Sequence, residues 1–384
     1  MKPKQLIIPG AILGGAILLA IIFSAVRNSG VENVAGSDTK QYIFKSMPID
    51  TVRQFSIQGH GEALLNIEVK EDQWTVRERG GYPADKEKVG KLLRESIWDL
   101  GYLETIQVGP SKYGRLGLLE PAAAGEAEEA DPEDEQTNAT VISLKDGEAK
   151  EVGALWIGKE VKQRSDTFSG ESTVGRFVKT GDSETVYSVD EQFNDLKSDP
   201  SEWLDKTFFK VSKIKTIERV PSEDAALGWK LTREEETGDY TLVDAKDGED
   251  LDQSKVSSMK SAFGSPSFED VLIGDDVTNP ETVTFNVETF EGFKYVVKVN
   301  EKDDAGNYNL TVDVSGEFKE KRDPVEGESE EDKNKADEAF TKELKELKEK
   351  LAEQAALAGH VYETRNFFID SINKDRAELL TEEE

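Results

Sequence analysis

The first apolar block is continuous. Leu6 to Val26 runs for 21 residues without a charge. At about 1.5 Å per residue it reaches roughly 30 Å, the thickness of a bilayer core. Lys2 and Lys4 precede it and Arg27 follows. The run is longer than the core of a leader peptide, and Phe23 stands where a cleavage site wants a small residue. An uncleaved signal anchor, residues 1–27, is therefore expected. The leading lysines put its N-terminus in the cytoplasm and the body outside. Gly10 with Gly14, and Ala11 with Gly15, recur at the four-residue spacing that lets another helix approach closely. Gly10, Gly14 and Gly15 are thus candidate membrane helix-packing residues. Glycine and alanine are also common in such helices for no packing reason.

Beyond a linker, residues 28–44, the rhythm changes and then repeats. Strand-like "QWTVRE" is followed by "YPADKEKVGKLLRESIWDL"; "DYTLVD" is followed by "GEDLDQSKVSSMKSAFGS". Asp85 and Asp252 are N-cap candidates. Val89, Leu92, Leu93 and Ile97 then recur at helical spacing, as do Val256, Met259 and Phe263. Alternating runs separated by glycine turns follow in each copy and predict antiparallel hairpins. The copies end on "VYSVDEQFNDLKSD" and "VYETRNFFIDSINKD", which pair Phe193 with Phe368 and Asp195 with Asp370. The expected class is α+β: an N-terminal transmembrane helix, then two repeated modules of antiparallel sheet plus helix, residues 45–202 and 203–384.

Each module carries an insertion. Residues 121–137 of the first are acidic and expected to be a disordered loop. Residues 316–358 of the second are rich in Glu and Lys and expected to be helical. There Phe340, Leu344, Leu347 and Leu351 form a four-three-four seam. It suits a short coiled-coil partner helix, or a solvated helix lying on its own module.

Composition removes several chemistries. The formal net charge of −31 argues against a nucleic-acid binder, which needs clustered Lys and Arg. With no cysteine, thiol catalysis, disulfides and thiolate metal sites are excluded. The two histidines, His60 in "QGHGE" and His360 in "LAGHVYE", show neither zinc spacing nor a nucleophile partner and are expected to be structural. No catalytic, metal or cofactor residues are expected.

"GALWIGKE", Gly153 to Glu160, imitates a phosphate-binding loop. The imitation fails in context. Such a loop follows a strand, opens a helix and ends on Ser or Thr. Here bulky apolar residues fill the turn and Glu160 would repel phosphate, so no nucleotide is expected. The stretch alternates like a strand and falls where the second copy has "FKYVVKVN". "DAKDGEDLD" and "EKDDAGNYN" lack the order of an EF-hand loop and suit turns. Asn138 and Asn309 head glycosylation sequons by pattern only.

The order "QWTV", "YPADKEKV", "YGRLGLLEP", "LWIGKE", "GRFV", "VYSV" and "EWLDKTFF" resembles family 4340 of domains of unknown function, found in bacterial envelope proteins. The likeness covers most of residues 45–210 and, through the repeat, the second half more weakly. "YGRLGLLEP" is longer than the family pattern, and "EWLDKTFF" lacks its arginine. The motifs are packing and turn patterns and identify no chemistry. Members often stand beside gliding-motility-type ABC transporter subunits. The resemblance implies a non-enzymatic, membrane-anchored extracytoplasmic interaction module of the bacterial inner membrane, accessory to an ABC-type transport or motility apparatus. The alternatives are an envelope hydrolase using a carboxylate pair, or a calcium- or polysaccharide-binding protein.

Overall fold

A computed structural model describes residues 41–126, 137–164, 171–181, 183–274, 281–300, 302, 305–323, 325 and 327–381. The chain divides into two compact units, the first ending at Trp203 and the second beginning at Leu204.

In the first unit the strands are β1 (Gln41–Tyr42), β2 (Val52–Gln58), β3 (Leu65–Lys70), β4 (Gln73–Val76), β5 (Tyr82–Pro83), β6 (Gly101–Tyr102) and β7 (Glu104–Ile106). After them come β8 (Thr140–Asp146), β9 (Glu151–Arg164), β10 (Glu171–Thr180) and β11 (Val186–Val189). One short helix, α1 (Lys86–Lys91), precedes β6. The second unit has β12 (Ile214–Pro221), β13 (Trp229–Thr232), β14 (Thr241–Leu242), helix α2 (Gln253–Val256), β15 (Asp270–Leu272), β16 (Glu281–Thr289), β17 (Phe293–Asn300) and β18 (Tyr308–Gly316). It closes with helix α3 (Glu330–Ala355), β19 (Val361–Thr364) and helix α4 (Asn366–Ile372).

Both main sheets are antiparallel and follow one order. The first runs β5-β4-β3-β2-β8-β9-β10-β11-β7, the second β14-β13-β12-β16-β17-β18-β19-β15. β1 and β6 form a separate pair. The ladders also match residue for residue. Val52 and Gln54 flank an irregularity against β8, as Ile214 and Thr216 do against β16. Phe55 faces Leu144, and Ile217 faces Val287. Leu144 in turn faces Gly153, and Val287 faces Tyr295. So Gly153 corresponds to Tyr295, two residues on from the alignment with "FKYVVKVN".

Strand alternation accounts for the cores. Phe55, Ile57, Ile142, Leu144 and Leu155 line one face and are fully buried; Ile217, Phe285, Val297 and Val312 do the same in the second unit.

The expected class needs correction. The described residues are mostly β, with sheets of nine, eight and two strands and few helices. The helices expected after the capping aspartates do form, but they are short. Asp85 accepts from the backbone N–H groups of Glu87 and Lys88, yet α1 is six residues long. Asp252 accepts from Ser254, and α2 spans four before tightening into a 3₁₀ turn, Ser257–Ser261. Serine and glycine in "SSMKSAFGS" propagate a helix poorly. The membrane-helix expectation is corrected as well. Among the described residues no helix is long and apolar enough to cross a membrane. The longest, α3, is dominated by Glu and Lys. The segment Leu6–Val26, with Gly10, Gly14 and Gly15, lies outside the described residues, as do 127–136 of the acidic insertion.

α3 is capped by Ser329, with three acidic residues in its first turn, where the helix dipole favours them. Its C-terminal end rests on its own unit. Gln354 is buried and accepts from the Tyr295 hydroxyl at 2.8 Å, and Leu351 lies against Gly316.

Candidate functional site

The first unit contains a cleft of about 430 Å³. α1 and the turns after it make one wall; residues 191–203 make the other. Leu92, Phe193, Leu196 and Trp203 supply its apolar surface, and Ser96 and Asn194 add neutral polar groups.

Two local departures from regular backbone shape it. After Lys91 the helix widens into π-helical turns, Leu92–Trp98, and the Asp99 N–H reaches back to the Arg94 carbonyl at 2.9 Å. A π turn absorbs one extra residue, and such turns recur at functional sites. That residue is visible in the repeat. Twelve positions separate Asp85 from the buried Ile97, but eleven separate Asp252 from the buried Phe263. On the opposite wall Phe193 takes a left-handed backbone, φ 56°. A bulky residue adopts that state rarely, so its surroundings must hold it there. Its side chain is buried and its N–H is met by the Glu191 carboxylate at 3.1 Å.

Trp203 anchors the floor. Its backbone carbonyl accepts from the Asp85 N–H at 2.8 Å and its indole N–H donates to the Lys197 carbonyl at 2.8 Å. Its ring meets Phe55 edge-on at 5.6 Å. The same closure recurs in the second unit, where Asp252 N–H donates to the Leu379 carbonyl at 2.9 Å.

The charges of the cleft are tied to one another. Lys88 lies 4.8 Å from the Trp203 ring centre and donates to the Glu202 carbonyl at 2.9 Å. Lys91 donates to Asp195 at 2.7 Å, across the mouth. That hydrogen bond raises the Lys91 pKa and lowers that of Asp195. Both shifts lead away from neutrality, so the pair stays ionised at pH 7.

The other motifs fall elsewhere. "GALWIGKE" lies within β9, with Leu155 and Ile157 turned into the core. Gly158 is there because another segment crosses it. A Cβ at that position would stand 2.2 Å from the Leu116 carbonyl oxygen. Leu116 belongs to "YGRLGLLEP", which lays Leu118 and Tyr113 on Val141, Trp156 and Phe177 of the outer sheet face. Lys179 is buried beside them, 4.0 Å from the Trp156 ring centre, and donates to the Gly181 carbonyl at 2.7 Å.

His60 Nδ1 accepts from the Ala122 N–H at 3.0 Å, while burial lowers the pKa of His360. In "DAKDGEDLD", Glu249 clamps Arg376 and Asp252 caps α2. Among the described residues no group of three or more His, Cys, Asp or Glu side chains could hold a metal ion. Asn309 is buried within β18, and the Asn138 amide donates to the Glu120 carbonyl at 2.6 Å.

A family model described as "Domain of unknown function (DUF4340)" matches residues 74–287, more than half of the chain. The match begins in β4, includes every residue of the cleft and ends in β16. No curated protein and no solved structure matches.

Proposed function

The chain belongs to the DUF4340 family, and from that premise we propose that it is a non-enzymatic interaction module, accessory to an ABC-type transport or gliding-motility apparatus and acting outside the bacterial cytoplasm. The observation that supports the reading is the state of the cleft's charges. Lys88 donates to the Glu202 carbonyl and Lys91 to the Asp195 carboxylate, so the cleft pairs opposite charges around apolar side chains. A surface of fixed charges around apolar side chains is the chemistry of a docking face. The hydrolase alternative asks for a carboxylate whose pKa is raised in a pocket. Asp195, the cleft carboxylate that meets Lys91, moves down instead.

Two measurements test the proposal. Affinity capture of the full chain from gently solubilised cells, followed by identification of what accompanies it, is expected to return transporter subunits. Protease added to spheroplasts is expected to cut the body without lysis. Capture of no transport component, or protection until lysis, defeats the reading.

A further inference from the structure

We draw no further inference here: the strongest candidate, the surface patch of exposed Tyr42 in β1 and exposed Leu103 between β6 and β7, carries nothing, because nothing in the structure shows what covers it.

Discussion

Replacing Gly158 with alanine tests whether "LWIGKE" keeps its glycine for packing. The added Cβ would lie 2.2 Å from the Leu116 carbonyl oxygen and 3.0 Å from a Leu118 methyl. Ordinary contact needs well over 3 Å, so the covering segment must retreat by about 1 Å, and a gap of that size forfeits up to half of each dispersion contact. Overpacking of this kind typically costs about 1–3 kcal/mol. Relief of glycine's backbone entropy in a strand returns about 0.5–1 kcal/mol. The expected net loss is about 1–2 kcal/mol, concentrated in the segment that carries Tyr113 and Leu118. Urea unfolding should register the loss, and hydrogen exchange should quicken at the Leu118 and Ala139 amides, which donate to Tyr113 and Leu119 carbonyls. Gly90→Ala is the control. Gly90 lies in α1 with open space around it, so alanine should stabilise by about 0.5–1 kcal/mol. If Gly158→Ala melts like the parent and exchange at Leu118 is unchanged, the packing account of this motif is wrong.

Lys159→Ala should change stability by less than about 0.5 kcal/mol, as at most surface positions, with no ATP binding to lose; calorimetry with ATP on parent and variant checks both parts. Asp85→Ala and Asp252→Ala each remove a side-chain cap and should cost about 1 kcal/mol in denaturant titrations. Trp203→Ala should cost about 3–5 kcal/mol, since it empties a fully buried site under the cleft, and an unchanged urea midpoint would contradict the anchoring role. Glu249 is held down to about 2 by Arg376 and by the Lys246 backbone N–H. Its contribution is therefore complete above the unfolded value near 4.5 and fades as pH falls toward about 2. Glu249→Gln should be less stable than the parent at pH 7, and urea midpoints measured downward from pH 4.5 should converge.

Much of this architecture is readable from side-chain periodicity. The alternating runs locate the strands, because each needs one apolar face. Asp85 and Asp252 mark the helix starts, because an N-cap needs a short oxygen-bearing side chain. What periodicity does not carry is length. "YPADKEKVGKLLRESIWDL" reads as one long helix, yet the regular part stops at Lys91 and the rest widens to a π turn. The α+β class failed on that point. The extra residue between Asp85 and Ile97 was the available sign of the π turn. The left-handed state of Phe193 left none, since aromatic residues carry no preference for it. The two-residue slip in aligning "GALWIGKE" has a related cause. A shift of two keeps every side chain on its own face, so alternation cannot detect it; the ladder registers could.

The matched ladders also say where the two units have parted company. Val141, Trp156 and Phe177 on the outer face of the first sheet correspond to Thr284, Lys298 and Asn309 of the second. The apolar set is covered by "YGRLGLLEP", supplied by the long connection from β7 to β8. Of the polar set Lys298 is exposed and Thr284 half-buried, and the connection from β15 to β16 is correspondingly short. That difference is explained by packing alone: change three outward residues from polar to apolar and a lid becomes necessary. After β11 and β19 the units part again. The registers put Leu196 opposite Ser371. The second chain winds into α4 there. The first, with Asn194, Asp195 and Lys197 in the same stretch, turns without forming a helix. It holds its bend through hydrogen bonds from the Phe193 N–H to Glu191 and from the Leu196 N–H to the Phe193 carbonyl.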